Sequence, residues 1–430
     1  MGLKSVGVKD NDIKKIERYR WVVWLILASV YIFVTFHRMG VGVVKNDLQN
    51  EFKIGALEYA NIGSMYFYAY FIMQIPSGIL ADKLGPKKTV SMFSILAAIG
   101  SITFGMAPSI NVAYIGRFMV GIGVSVVFIC LVKIQSRWFY SKNFALMVGL
   151  SGVVANLGSM LAQTPLALVS AKFGWRNTFI FMGVAMIFFT VLTLIFVKDD
   201  PKDMGLPGMD ELENRPIDAS NIKVMPALKS ILSNKRTWVI SIAYFGLSTA
   251  YTVFMGTYGV SFLIEKYSLT NVQSANYVIV TIAGALISSL VLGQISDYFK
   301  SRKLPLTIAG TLTLLCWIVL IYVGVPINML VPFLFIFGFV SSAFTMCWTM
   351  GNEVNDRRLS GMATGVVNCV GFLGAAVIPV IMGKVLDSYK DTPLVGYEKA
   401  YFVLIMIIAI SVVASFFTKE TSAQNIYDVK

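Results

Sequence analysis

Three cations, Arg38, Arg117 and Lys133, fall inside long apolar runs of this 430-residue chain. A fixed charge in such a run must meet water or an anion, because hydrocarbon cannot solvate it. Arg38 lies about six residues beyond the midpoint of the run 21–44, roughly 9 Å from the centre of a bilayer at 1.5 Å per residue. Lys133 lies roughly 12 Å to the opposite side in the run 113–135. Turned inward, the two would bracket a midplane site suited to an anionic solute. The competing readings are an Arg38 that snorkels to the interface and a Lys133 that anchors a helix end. Arg117 lies at a depth similar to Arg38. His37 is the single histidine. It is the natural place for a proton-linked switch, or else a packed core residue. No carboxylate falls clearly inside a run, which argues against an Asp/Glu proton relay and leaves exchange, or proton movement through His37 or with the solute. Hydrogen-bonding groups complete the set. Tyr66 and Tyr70 are four apart and share a helical face, Tyr251 is mid-run, and Asn156, Gln163 and Asn368 lie close to two Gly-Val-Val segments.

These groups suit holding a solute, not cleaving it. One histidine permits no Ser/His/Asp set, and there is no G-x-x-x-x-G-K loop and no metal-ligand cluster, so neither an enzyme nor a cofactor is expected. The four cysteines sit singly in apolar stretches and read as small buried hydrophobes.

The elements that must position these residues follow from composition. Hydrophobic residues make up 56% of the chain and charged ones 14%, too little polar surface for a soluble body of this size. Apolar runs between charged or Pro/Gly breaks predict twelve spans: 21–44, 59–80, 88–107, 113–135, 144–168, 177–197, 238–262, 273–296, 305–325, 329–350, 361–385 and 400–418. Each approximates the twenty or so residues that cross a bilayer. The first run is too long for a removable signal and lacks a cleavage site. The expected division is a six-helix bundle at 1–199, a charged, proline-containing linker at 200–236 and a second bundle at 237–430. The net charge of +13 does not signal nucleic-acid binding here, because its distribution is what counts: 26 Lys and Arg lie on the side of the termini and 8 on the other. The positive-inside rule then puts both termini and the linker in the cytoplasm.

The two halves repeat. Gly78-Ile-Leu-Ala-Asp82-Lys-Leu-Gly85-Pro-Lys87-Lys88 realigns with Gly293-Gln-Ile-Ser-Asp297-Tyr-Phe-Lys-Ser-Arg302-Lys303 at an offset of 215. Gly152-Val-Val recurs as Gly365-Val-Val at 213, and Pro165 as Pro379 at 214. A duplicated bundle leaves such a pattern. The segment 78–88 resembles the signature loop of the major facilitator superfamily. Arg117-Phe-Met-Val-Gly121-Ile-Gly123 resembles its R-x-x-x-G-x-G element, and Phe173-Gly174-Trp175-Arg176 is also typical. Phe36-His37-Arg38, the segment 133–139 and the segment 359–365 look most like the sugar-phosphate and organic-anion permease branch.

The resemblance implies an all-α integral membrane fold in which two pseudo-symmetric six-helix bundles flank a cavity that opens to one side at a time. It implies gating roles for Gly78, Asp82, Gly85, Lys87, Lys88, Arg117, Gly121, Asp297 and Arg302. Asp82 and Asp297 are expected to cap the starts of spans eleven and five across the bundle interface. The expected function is secondary transport of a small anionic or zwitterionic organic solute, phosphorylated or carboxylated. Substrate contacts are expected from Arg38, His37, Lys133, Tyr66, Tyr70, Asn156, Tyr251 and Asn368. The alternatives are an amino-acid or short-peptide carrier and a transporter-like solute receptor. A monomer in a prokaryotic plasma membrane is expected, with the lipid bilayer and a solute as partners and protons entering through His37.

Overall fold

The computed structural model describes residues 10–213 and 224–427. Lys4, Lys9, Arg215, Pro216, Lys223 and Lys430, which entered the charge and linker arguments, lie outside them. Among the described residues twelve long helices follow one another: α1 (Asn11–Gly42), α2 (Ala56–Leu84), α3 (Pro86–Gly105), α4 (Ile110–Trp138), α5 (Ser141–Phe173), α6 (Trp175–Phe196), α7 (Lys235–Tyr267), α8 (Asn271–Tyr298), α9 (Lys303–Val323), α10 (Ile327–Glu353), α11 (Arg357–Asp387) and α12 (Pro393–Phe417). Eleven are long and apolar enough to cross a membrane. The other, α2, has 29 residues, about 43 Å of helix, but Tyr59, Ser64, Tyr66, Tyr70 and Gln74 dilute its apolar content. Its position explains that composition, since it runs along α11 at the seam between the bundles.

Helix starts use local chemistry. Gly85 (φ +81°) turns the chain so that Pro86 can open α3, where a missing N–H does no harm. Thr270 and Gln273 form a capping box for α8. The actual helices overrun several predicted spans at one or both ends, because polar turns continue past the hydrocarbon.

Helices α1–α6 pack into one six-helix bundle and α7–α12 into the other. Lipid gives helices no hydrophobic reason to associate, so small residues that let backbones touch become the glue. The halves use this device at matching places. A Cβ on Gly121 of α4 would run into the Tyr66 carbonyl of α2, and one on Gly338 of α10 into the Thr281 carbonyl of α8. Those partners are separated by offsets of 217 and 215, close to the sequence repeat.

The face remote from the termini is sealed across the bundles. Lys45 Nζ donates to Tyr397 Oη at 2.7 Å and lies 5.2–5.8 Å from the ring centres of Tyr59, Tyr258 and Tyr397. The Asp387 carboxylate at the end of α11 accepts the Ala56 and Leu57 N–H groups at 2.8 and 2.9 Å, capping α2. Tyr59 donates to the Thr257 carbonyl, Gln163 to that of Met255 and Asn271 to that of Val43. A π-helical turn at Phe254–Tyr258 brings Gly256 of α7 against Gly42 of α1. By contrast, Gly78, Gly149, Gly152, Gly293, Gly361 and Gly365, in the terminal-side halves of α2, α5, α8 and α11, would meet nothing within 4 Å if given a Cβ.

Candidate functional site

Side chains on a helix lean toward its N-terminus, and α1 starts on the terminal side, so Arg38 leans back toward the middle of the molecule. Its guanidinium carbon lies 5.2 Å from the ring centres of both Tyr70 on α2 and Phe372 on α11. Both rings stand near mid-helix, and their centroids are 4.3 Å apart, so the charge occupies the seam between the bundles at mid-depth. Tyr31 and Tyr66 are its other polar neighbours. Arg38 Nε has no hydrogen-bond partner. Among the described residues no carboxylate pairs with Arg38. A guanidinium in this setting can hold a carboxylate or sulfonate by two parallel hydrogen bonds.

The opposite wall belongs to the second bundle and is uncharged. Tyr244 Oη donates to Asn368 Oδ1 at 2.8 Å. Its ring packs 5.7 Å from Phe344 and 6.0 Å from Trp348, while Tyr251 lies 5.4 Å from Phe344. Asn368 stands one helical turn before Phe372 on α11, which places the Tyr244–Asn368 pair next to the Arg38 seat. Trp348 Nε1 is buried without a well-formed hydrogen bond. Asn156 on α5 is half-buried and donates to the Gly152 carbonyl at 2.9 Å.

Several expected placements are different. Lys133 does not bracket the site as a free cation. Its Nζ donates to the Asp82 carboxylate and the Ala81 carbonyl, both at 2.7 Å, at the terminal-side end of α2. The His37 ring turns into the first bundle, against Phe36 and Phe179 at 5.8 and 6.0 Å, and not into the Arg38 cleft. Neither of its nitrogens has a partner. Arg117 is inside the same bundle at 1% exposure, donating to the His37 carbonyl at 2.9 Å and lying over Tyr66 and Phe104.

The signature-loop residues are tied within their own bundles. Asp82 does not cap α11, whose leading turn is capped by Asp356 through Arg358 N–H at 2.9 Å. Asp297 does not cap α5, because Glu213 accepts the Ser141 N–H there at 3.0 Å. Asp297 pairs with Arg302 at 2.7 Å, and Arg302 also binds Glu353 at 3.1 Å. Each carboxylate is instead engaged by a cation of its own bundle, Asp82 by Lys133 and Asp297 by Arg302. Lys87 takes part through its backbone N–H, which donates to Asp199 at 2.6 Å, while the Lys88 side chain is exposed.

Sequence reasoning missed Tyr31, Phe372, Phe344 and Trp348, apolar or aromatic residues that carry no signal of facing a cleft. It also read Lys45 as a loop charge and passed over Asp387.

Two bundles around a charged cleft at mid-depth define a multi-pass membrane protein of the solute-carrier class. The chain belongs to the Major Facilitator Superfamily, whose model matches residues 27–379. It is a transport protein, not an enzyme. A probable sulfoacetate transporter of Cupriavidus necator is 21% identical over 94% of this chain and 95% of its own. A hexuronate transporter of Escherichia coli is 23% identical over 89% of this chain and 91% of its own. The crystal structure of a bacterial homolog of the human lysosomal transporter Spinster superposes with a TM-score of 0.78 at 16% identity, covering 93% of this chain and 97% of that one.

Proposed function

We propose that this protein is a secondary active transporter that carries a small organic anion across a prokaryotic plasma membrane by alternating access. The observation that carries the reading is the Arg38 guanidinium at the seam, without a carboxylate partner, between Tyr70 of one bundle and Phe372 of the other. A solute anion bound there touches both bundles, so its arrival can bias their packing. The names of the two relatives, which include a hexuronate and a sulfonated acetate carrier, support a carboxylated or sulfonated cargo over a phosphorylated one.

With both termini in the cytoplasm, the sealed face is external and the state is inward-facing. The domain limits are those of the sequence, 1–199 and 237–430 about a cytoplasmic linker. For coupling, exchange is favoured over proton symport through His37. Protonating that imidazole would set a second cation beside Arg117 in a dry interior.

Proteoliposomes test this directly. Labelled organic anion should enter by counterflow against internal unlabelled anion, and an imposed inward proton gradient should not drive its accumulation in vesicles loaded without anion. Ligand binding without flux would point to a receptor, and counterflow of amino acids or peptides in place of organic anions would point to the alternative carrier class. Accumulation driven by an imposed proton gradient into anion-free vesicles would restore the proton-linked route.

Closure of the terminal side should require the open glycine faces. Gly149→Leu and Gly361→Leu add side chains where a Cβ meets nothing within 4 Å. Both variants should fold and bind solute, with a melting temperature at or above that of the parent since glycine is a poor helix former. Transport should fall at least tenfold. Unchanged transport would mean that these faces do not come together.

A further inference from the structure

Resting on the anion-carrier reading above, we infer that the cargo carries one negative charge on an otherwise uncharged, hydrogen-bonding body, and is neither a dianion nor a zwitterion. The charge inventory of the cleft sets this. Arg38 is the one cation, among the described residues, placed between the two bundles at mid-depth. Arg117 faces the interior of the first bundle and is committed to the His37 carbonyl. Lys133 is matched by Asp82, and Lys45 is enclosed by three tyrosines at the far seal. The cleft therefore offers one unmatched positive charge.

On the carboxylate side, every described Asp and Glu lies within about two turns of a helix end or outside the long helices. An ammonium group bound beside Tyr244, Trp348 and Asn368 would have no counter-charge. A second carboxylate would fare no better there, since an ion taken from water without a partner is strongly disfavoured. Amide, phenol and indole groups are instead matched to hydroxyls. Asn368 precedes Phe372 by one helical turn, about 6 Å along α11, so a cargo of a few carbons can touch Arg38 with one end and the neutral wall with the other. The two relatives handle different charge types by name: hexuronate carries one carboxylate, whereas sulfoacetate has both a sulfonate and a carboxylate. Membership of the group therefore does not decide the matter, and the cleft must.

The experiment is a thermal-shift and counterflow panel on the purified full chain. It uses hydroxylated monocarboxylates and monosulfonates of two to seven carbons, the dicarboxylates of the same lengths, and amino acids. A bound ligand raises the melting temperature by mass action. The largest shifts should come from monoanions, with the matched dianion at least tenfold weaker in counterflow competition. Asn368→Lys supplies a second cation on the neutral wall and should narrow or reverse that preference, with its own melting curve reporting that it folds. A parent protein that prefers dianions or zwitterions overturns this inference, and preference for dianions leaves the anion-carrier reading standing. An Asn368→Lys protein that folds but keeps the tenfold preference overturns the assignment of the neutral wall. Absence of any shift or competition by an anion overturns the anion reading itself.

Discussion

Arg38→Met is expected to weaken solute binding roughly thirtyfold or more while leaving the melting temperature of the ligand-free protein unchanged or higher. The two halves of that expectation have one cause. Arg38 is placed against Tyr70 and Phe372 with its Nε unsatisfied and no carboxylate beside it, so the empty protein bears the desolvation of a charge that only the cargo would neutralise. Removing one partner of a buried, hydrogen-bonded ion pair costs about 2–5 kcal/mol of binding, roughly thirtyfold or more in affinity. Methionine keeps the length and apolar stem that pack on the rings, so the fold loses little. Arg38→Lys separates charge from geometry. It retains the cation but not the planar fork, and should bind at an intermediate affinity. Calorimetric titration and melting curves of the three proteins provide the check. A structural Arg38 would show the reverse pattern, with a lowered melting temperature and affinity retained in whatever folds.

The architecture was largely legible from sequence because bilayer thickness imposes a length on every helix and duplication leaves a constant offset. The site was legible only where a residue type is intolerable elsewhere. Arg38 stood out for that reason, and the four-residue spacing of Tyr66 and Tyr70 put them on one face, where their rings now stack 5.8 Å apart. His37 and Arg38 show the limit. Neighbours on a helix point about 100° apart, and no property of the pair says which one faces the seam. Lys133 and Asp82 are 51 positions apart on different helices, so their pairing is a fact of tertiary packing. The expected caps from Asp82 and Asp297 describe a contact between bundles, whereas each carboxylate binds a cation of its own bundle. Trp348 and Phe372 resemble any lipid-facing aromatic until the second bundle is in place.

The same dependence on tertiary contact makes the far-side seal the strongest lever on conformation. Lys45→Met combined with Asp387→Asn should move the protein from a state closed on that face to one open there. Asp387 supplies two charge-assisted hydrogen bonds to the N–H groups of Ala56 and Leu57, at the positive end of the α2 dipole. Asparagine retains the shape but loses the charge, and hydrogen bonds to charged groups contribute about 1.5–3 kcal/mol each at most. Lys45 adds a bond to Tyr397 and a seat among three aromatic rings, with cation–π contacts of about 0.5–2 kcal/mol. Apart from the Lys45–Tyr59 contact, which lies within the first bundle, these contacts join one bundle to the other, so they exist in one conformation only and their loss falls on the conformational equilibrium. A shift of about 5.5 kcal/mol carries a two-state system from 1:99 to 99:1, and losing several of these contacts together reaches that order. Spin labels at positions 53 and 391, on the sealed face, should move apart in the double variant, and labels at 83 and 298, on the terminal side, should approach. Each single variant should give a partial change in the same direction. Distances that stay at their parental values would show that the seal is held by backbone packing, such as Gly42 against Gly256, and not by these two side chains.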